Sequence, residues 1–119
     1  MARYVDGFLL PVPKKNIAAY KKISAAAGKV WREYGALEYR ECVGDDLSPQ
    51  FGVAFPKQMK LKPGETVVFS WIVYKSKAHR DRVNKKVLND PRIKMEGTPM
   101  PFDAKRMAYG GFEVLVDLT

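Results

Sequence analysis

The chain has very little cysteine or histidine: one of each, Cys42 and His79. A lone cysteine excludes an intrachain disulfide framework and any cysteine-cluster metal site. A lone histidine, with no carboxylate at a spacing that repeats a ligand motif, makes a poor metal centre, so neither a metal nor another cofactor is expected. There is no glycine-rich loop of the phosphate-cradling kind and no nucleophile elbow. Long apolar runs are missing as well. The apolar patch near the N-terminus is short and broken by Asp6, too little for a signal peptide or a membrane span, and the expected location is the cytoplasm.

What is present is ordinary globular composition: 119 residues, 46% hydrophobic and 29% charged. That length predicts one domain, 1–119, with a core that needs no disulfide or metal. The formal net charge is +8, which raises the question of nucleic acid. The basic residues fall in scattered pairs such as Lys14-Lys15, Lys21-Lys22 and Lys85-Lys86, not in one block, and no zinc-finger, RRM or helix-turn-helix signature accompanies them. Nucleic acid is therefore not an expected partner, beyond weak non-specific contact with a basic surface.

The chain is organised around Thr66 to Leu88. Thr66 to Lys75 reads as a strand, with Val67, Phe69, Trp71 and Val73 on one face and Val68, Ser70, Ile72 and Tyr74 on the other. Both faces are largely apolar, so both require a cover. Ser76 can cap a helix running to Leu88, stopped by Asn89-Asp90-Pro91. Upstream, Arg3 to Val12 reads as a strand ended by Pro11 and Pro13, with the acid Asp6 inside it. Lys14 to Tyr34 is the clearest helix: at about 100° per residue, Tyr20, Ile23, Ala27, Val30, Trp31 and Tyr34 share a stripe, and Gly35 is the stop. Ala36 to Val43 is the most polar strand and suits an edge. Leu47 to Glu65 lacks a period, and loops of that length are often lids or binding loops. Arg106 to Leu118 reads as the last strand, where Gly110-Gly111 suggests a bulge or a close backbone approach.

The order strand, helix, strand, strand, helix, strand predicts an α+β ferredoxin-like βαββαβ fold with a four-stranded antiparallel sheet. Right-handed crossovers place both helices on one sheet face and leave the other bare. An apolar bare face marks an interface, and a second copy packed sheet to sheet would close a dimeric α/β barrel. Trp71 is expected between sheet and helix, in the core.

Four stretches carry a family resemblance: YVDGFLLPVP, GALEYRECVGDD, ETVVFSWIVYKSKAHRDRVNKKVLNDPR and MPFDAKRMAYGGFEVLVD. In combination the chain resembles the bacterial YbaA-like family, a domain family of unknown function. The resemblance implies a dimeric α/β-barrel fold. That superfamily includes heme-degrading and cofactorless monooxygenases alongside many members with no assigned activity, so the resemblance implies architecture and no particular reaction.

The candidate site lies between sheet and second helix. Ser76, Arg80, Val83 and Val87 share a stripe, flanked by Asn84 and His79. Polar groups facing a core need partners. Asp6 and Glu41 are the natural acids to meet Arg80. In one reading the pair is structural. In the other, Arg80 anchors a small anionic ligand, because its fork donates two parallel hydrogen bonds to a carboxylate. Asn84, Glu41, Tyr39, Trp71 and Arg106 complete the expected ligand-binding set. Glu96, Asp103 and Arg106 bracket the last loop, where ion pairs would fix it. The expected function is a homodimeric module that binds a small molecule. The alternative is a small monooxygenase- or isomerase-like enzyme with Asp6 or His79 as base.

Overall fold

A computed structural model describes residues 2–94 and 100–118. In chain order the elements are β1 (Tyr4–Pro13), α1 (Ile17–Glu33), β2 (Glu38–Val43), a short α2 (Phe55–Gln58), β3 (Glu65–Tyr74), α3 (Lys77–Leu88) and β4 (Ala108–Glu113), with 3-10 turns at Lys14–Asn16 and Ala104–Arg106. The strands form one four-stranded sheet in the order β2-β3-β1-β4, antiparallel at every pairing. Both long helices pack on one face of it, where Val30 of α1 and Val83 and Val87 of α3 bury against Ile72 and Tyr74 of β3. This is the ferredoxin-like α+β arrangement that the order of elements predicts.

The sheet is built on the β1–β3 ladder, whose register runs from Tyr4 opposite Tyr74 to Pro13 opposite Glu65. Side chains alternate across it. Asp6, Phe8, Leu10, Ser70, Ile72 and Tyr74 face the helices; Val5, Leu9, Phe69 and Trp71 face away. The polar strand β2 is an edge, as its composition suggests. β1 does not stop at its prolines; it continues through Pro11 to Pro13. The reason is geometric. β4 accompanies β1 only from Tyr4 to Leu9, while the Lys14 amide bonds the Gly64 carbonyl on the β3 side at 2.8 Å. Pro11 and Pro13, of opposite parity to Lys14, turn their missing donors toward the side that β4 has already left.

Three further boundaries differ from the sequence reading. The long segment before β3 contains one helical turn, α2, with Pro56 in its first positions, where a missing amide costs nothing. The last strand ends at Glu113, not Leu118. Its final tie is the Val114 amide on the Arg3 carbonyl at 2.9 Å, after which Leu115 stands 95% exposed. Gly110-Gly111 makes no bulge, because the β1–β4 register runs unbroken past it. It makes a close approach: a Cβ at Gly111 would collide with Arg80 and the Tyr4 hydroxyl.

The largest departure concerns Trp71. It lies on the face away from the helices, beside Phe69 at 5.4 Å between ring centroids, and its indole donates to Glu38 at 2.9 Å. It is not part of the sheet–helix core. Period-two alternation divides a strand into two faces without saying which of two apolar faces the helices take.

Helix α1 approaches β2 so closely that only glycine fits at the contact. A Cβ at Gly28 would stand 2.6 Å from the Tyr39 ring. In an open helix Gly→Ala is stabilising by about 1 kcal/mol. Here overpacking reverses the sign, and Gly28→Ala is expected to destabilise by about 1–3 kcal/mol. Chemical denaturation checks this, with Tyr39→Ala as background: removing the ring should return the substitution to its ordinary stabilising sign.

Candidate functional site

Two polar constellations lie on the covered face of the sheet. The first joins α3 to β1. The Arg80 Nε donates to Asp6 Oδ1 at 3.1 Å, its Nη1 to Asp81 at 2.7 Å and its Nη2 to the Tyr4 hydroxyl at 3.3 Å. The guanidinium also lies 4.8 Å from the centroid of the Tyr4 ring. Asn84 donates to the second Asp6 oxygen at 3.3 Å, while its own carbonyl accepts from the Trp31 indole at 3.0 Å and the Tyr74 hydroxyl at 3.1 Å. Burial first, and then the Asp6 charge, raise the Tyr74 pKa far above the ordinary range, so its hydroxyl stays a donor. The local sequence explains the placement. Ser76 caps α3 by accepting from the His79 amide at 3.2 Å, and one turn on, Arg80 and then Asn84 descend onto β1.

This constellation is closed on itself. Each of the three Arg80 nitrogens already has a protein acceptor, in Asp6, Asp81 and Tyr4. The anion anchor expected from the sequence is a tie between helix and sheet. Glu41, the other expected partner of Arg80, lies elsewhere.

The second constellation surrounds Glu41 on β2. Its two carboxylate oxygens accept from the Tyr20 hydroxyl of α1 and, at 2.7 Å, from the Tyr39 hydroxyl two residues back on the same strand. Burial first, and then Glu41 itself, push both phenol pKa values far above the usual 10, so both tyrosines stay neutral donors. Among the described residues Glu41 has no ion-pair partner. Directly across the ladder stands Ser70, a residue only 6% exposed. Glu41 and Ser70 both line a cavity of about 240 Å³ between the sheet and α1, walled by Phe8, Trp31, Ile72 and Phe102. It is close to the lower size limit of about 300 Å³ for ligand pockets.

The expected site residues therefore separate. Glu41 and Tyr39 line the cleft. Asn84 supports it from behind, through Trp31. Asp6 and Arg80 form the neighbouring closed network. Trp71 is on the opposite face of the sheet. His79 lies at the start of α3, edge-on to Tyr74, with Nδ1 accepting from the Lys75 amide at 3.0 Å. Burial, with Lys75 and Arg82 nearby, lowers its pKa and favours the neutral ring. Neither Asp6 nor His79 lines the cleft, so neither is placed to act as a base there. Asp103 caps the turn at Ala104–Arg106 by accepting from the Lys105 amide, while Glu96 lies outside the described residues. Tyr20, Ser70, Phe8 and Trp31 read in the sequence as core. The one available signal was Ser70, a hydroxyl at the centre of an apolar strand.

Arg106, another expected ligand residue, is committed to structure. It makes a two-pronged pair with Glu65 at 2.7 and 2.9 Å and reaches the Lys60 carbonyl at 3.0 Å, which ties the turn before β4 to the start of β3. Arg106, and then the Lys62 amide, hold the Glu65 carboxyl at about 2, below its ordinary 4.5. A depressed carboxyl contributes stability that is complete above its unfolded value and is lost as pH falls through the folded one. Acid titration of the melting temperature should therefore show a loss between pH 4.5 and about 2. Arg106→Gln should lower stability at neutral pH and flatten that part of the curve. An identical curve in the variant would mean that other carboxyls dominate acid unfolding.

Comparison with known proteins bears on the family and the fold. Residues 3–104 match the family described as "Protein of unknown function (DUF1428)". "Uncharacterized protein YbaA" of Escherichia coli K12 is 45% identical over 115 residues, which cover 97% of this chain and 98% of that protein. The Shigella flexneri protein of the same name matches to the same extent. Among solved structures, a dimeric ferredoxin-like protein from an uncultured marine organism superposes with a TM-score of 0.59 at 12% identity, over 99% of this chain and 100% of that one. At that identity the likeness speaks for fold. Among the described residues no helix is long and apolar enough to cross a membrane, and no three His, Cys, Asp or Glu side chains gather as a metal site. The matched family and the near-full-length relatives establish that this chain belongs to the YbaA-like DUF1428 family.

Proposed function

We propose that the protein is a homodimeric module that binds a small, mostly apolar molecule in the cleft between the sheet and α1. The observation that carries this reading is the cleft floor. Glu41 and Ser70 stand side by side in a cavity whose other walls are almost entirely apolar and aromatic. Pockets that combine apolar walls with a few convergent polar groups are the usual form of a ligand site. Binding ranks above turnover because Asp6, one candidate base, is spent on Arg80 and Asn84, and His79, the other, lies outside the cleft. The exposed Cys42 thiol suits a reducing compartment, and the cytoplasm is the proposed location.

The dimer reading rests on the uncovered face. Val5, Leu9, Phe69, Trp71 and Phe112 line a second, larger concavity of about 610 Å³ there. Phe69 is 47% and Phe112 60% exposed. A contiguous apolar surface of this kind on a soluble chain marks an interface. A sheet face with this composition fits a second copy of itself across a twofold axis.

Trp31 lines the cleft and Trp71 the open face, and these are the two tryptophans of the chain. In a Trp71→Phe background, Trp31 emission reports cleft occupancy alone. Titration with small amphiphiles should shift it saturably, and Ala27→Phe, which fills the cleft from α1, should abolish the shift. Emission that never changes, or changes equally in the filled variant, would refute cleft binding. For the dimer, sedimentation equilibrium of Phe69→Glu should give a folded monomer where the wild type gives a dimer. A wild type that is monomeric at micromolar concentration would remove this part of the proposal.

A further inference from the structure

We infer that the occupant of the cleft is a small organic cation, an alkylated ammonium. This inference rests on the cleft-binding reading above and adds the charge of the ligand to it. Three observations converge. First, the rings of Phe8, Tyr20, Trp31, Tyr39 and Phe102 all line the cavity, some in direct contact: Tyr20 meets Phe102 edge-on at 5.5 Å, and Trp31 meets Tyr39 at 6.0 Å. Aromatic faces around a cavity attract a cation through their quadrupoles, and a quaternary ammonium, which cannot donate a hydrogen bond, is held well by such a cage.

Second, the charged group that lines the cavity is Glu41, and its protein partners are two neutral hydroxyls. Among the described residues no lysine, arginine or histidine pairs with it. Elsewhere the well-buried carboxylates each have an arginine: Asp6 has Arg80, Glu65 has Arg106 and Asp90 has Arg92. A carboxylate left without a cation in an apolar, aromatic cavity is matched by a cation that arrives with the ligand. Third, among the described residues the lining contains no lysine, arginine or histidine, so an anionic ligand would meet Glu41 with none of them to offset the repulsion. The Ser70 hydroxyl beside Glu41 gives the floor a second polar point, suited to a hydroxyl or carbonyl on the ligand.

The test is an isostere series by isothermal titration calorimetry on the wild-type protein, with Trp31 emission in Trp71→Phe as the locating signal. The probes are choline, its uncharged carbon isostere dimethylbutanol, and the matching carboxylate dimethylbutanoate. The expected order is choline first, the alcohol at least about tenfold weaker and the carboxylate without effect, the tenfold being the scale of one desolvated cation–aromatic and carboxylate contact. Glu41→Gln should reduce the affinity for choline to that for the alcohol and leave the alcohol unchanged. If the alcohol binds as well as choline, the inferred charge is wrong while the cleft reading stands. If none of the three moves Trp31 emission and none gives heat, while an unrelated apolar probe does, the ammonium inference falls alone; if no probe of any kind binds, both readings fall. The isostere order needs no variant, so the inference stays testable even if Glu41→Gln does not fold.

Discussion

Everything in this molecule depends on the antiparallel ladder between β1 and β3. Ten residues of each strand pair without interruption, from Tyr4 with Tyr74 to Pro13 with Glu65. Because alternate side chains leave opposite faces, that single register assigns every functional group to a side. It sets Asp6 under α3, where Arg80 and Asn84 can reach it. It sets Phe8 beside Ser70, and the β2–β3 register then sets Ser70 beside Glu41. A slip of one residue would exchange the polar cleft floor for Phe69 and Trp71, and the network, the cleft and the open face would vanish together.

Each face of the sheet carries exceptions to the usual distribution of polarity. The face under the helices carries Asp6, Glu41 and Ser70, while the uncovered face carries Val5, Leu9, Phe69, Trp71 and Phe112. Ordinary folding would favour the opposite, since buried polar groups need partners and exposed apolar ones need cover. Each anomaly has a local resolution. Asp6 is satisfied by a network that reaches from Tyr4 through Arg80 and Asn84 to Trp31 and Tyr74, so that α3, α1 and β1 hold one another at fixed distances. Breaking such a network from one side leaves a desolvated carboxylate behind, which is costlier than never having had it. Glu41 is satisfied by two hydroxyls and by no cation among the described residues. The same face therefore holds one closed polar system and one open one, and only the open one has a cavity in front of it.

The two faces also explain what is legible in the residues and what is not. The α1 stripe through Tyr20, Val30 and Trp31, the stop at Gly35, the Ser76 cap and the edge character of β2 follow from local rules: 3.6-residue periodicity, a positive-φ glycine, a hydroxyl one turn before an amide, and polarity. The ferredoxin-like order follows from those elements taken in sequence. The side on which Trp71 falls does not follow, because both faces of β3 are apolar and alternation does not say which of them the helices cover. The fates of Arg80 and Arg106 were half legible. Helical phase turns Arg80 toward the sheet, and the sequence names Asp6 among its acids, but only the tertiary arrangement adds Asp81 and Tyr4, so that all three guanidinium nitrogens are engaged. Glu65, the partner of Arg106, is far away in sequence and adjacent only once β3 and the turn before β4 have met. Tyr20 was read as core on correct periodicity; its hydroxyl acquires meaning only when β2 brings Glu41 beneath it.

The strongly basic surface and the acidic cleft are not in conflict. A net charge of +8 repels cations at long range, and a reading from composition alone would favour an anionic partner. Exposed lysines, however, act through water and salt, and their influence decays over about 8–10 Å at physiological ionic strength. Inside a cavity walled by aromatic rings the effective dielectric is low, and one nearby carboxylate outweighs several screened lysines on the outer faces of the helices. In the proposed reading the outer charge governs the rate of encounter, while Glu41 and the rings around it govern what is kept. Selectivity in such a site comes from the chemistry within one side-chain length of the ligand, which is why the covered face of the sheet, and not the sum of charges, decides the class of molecule it suits.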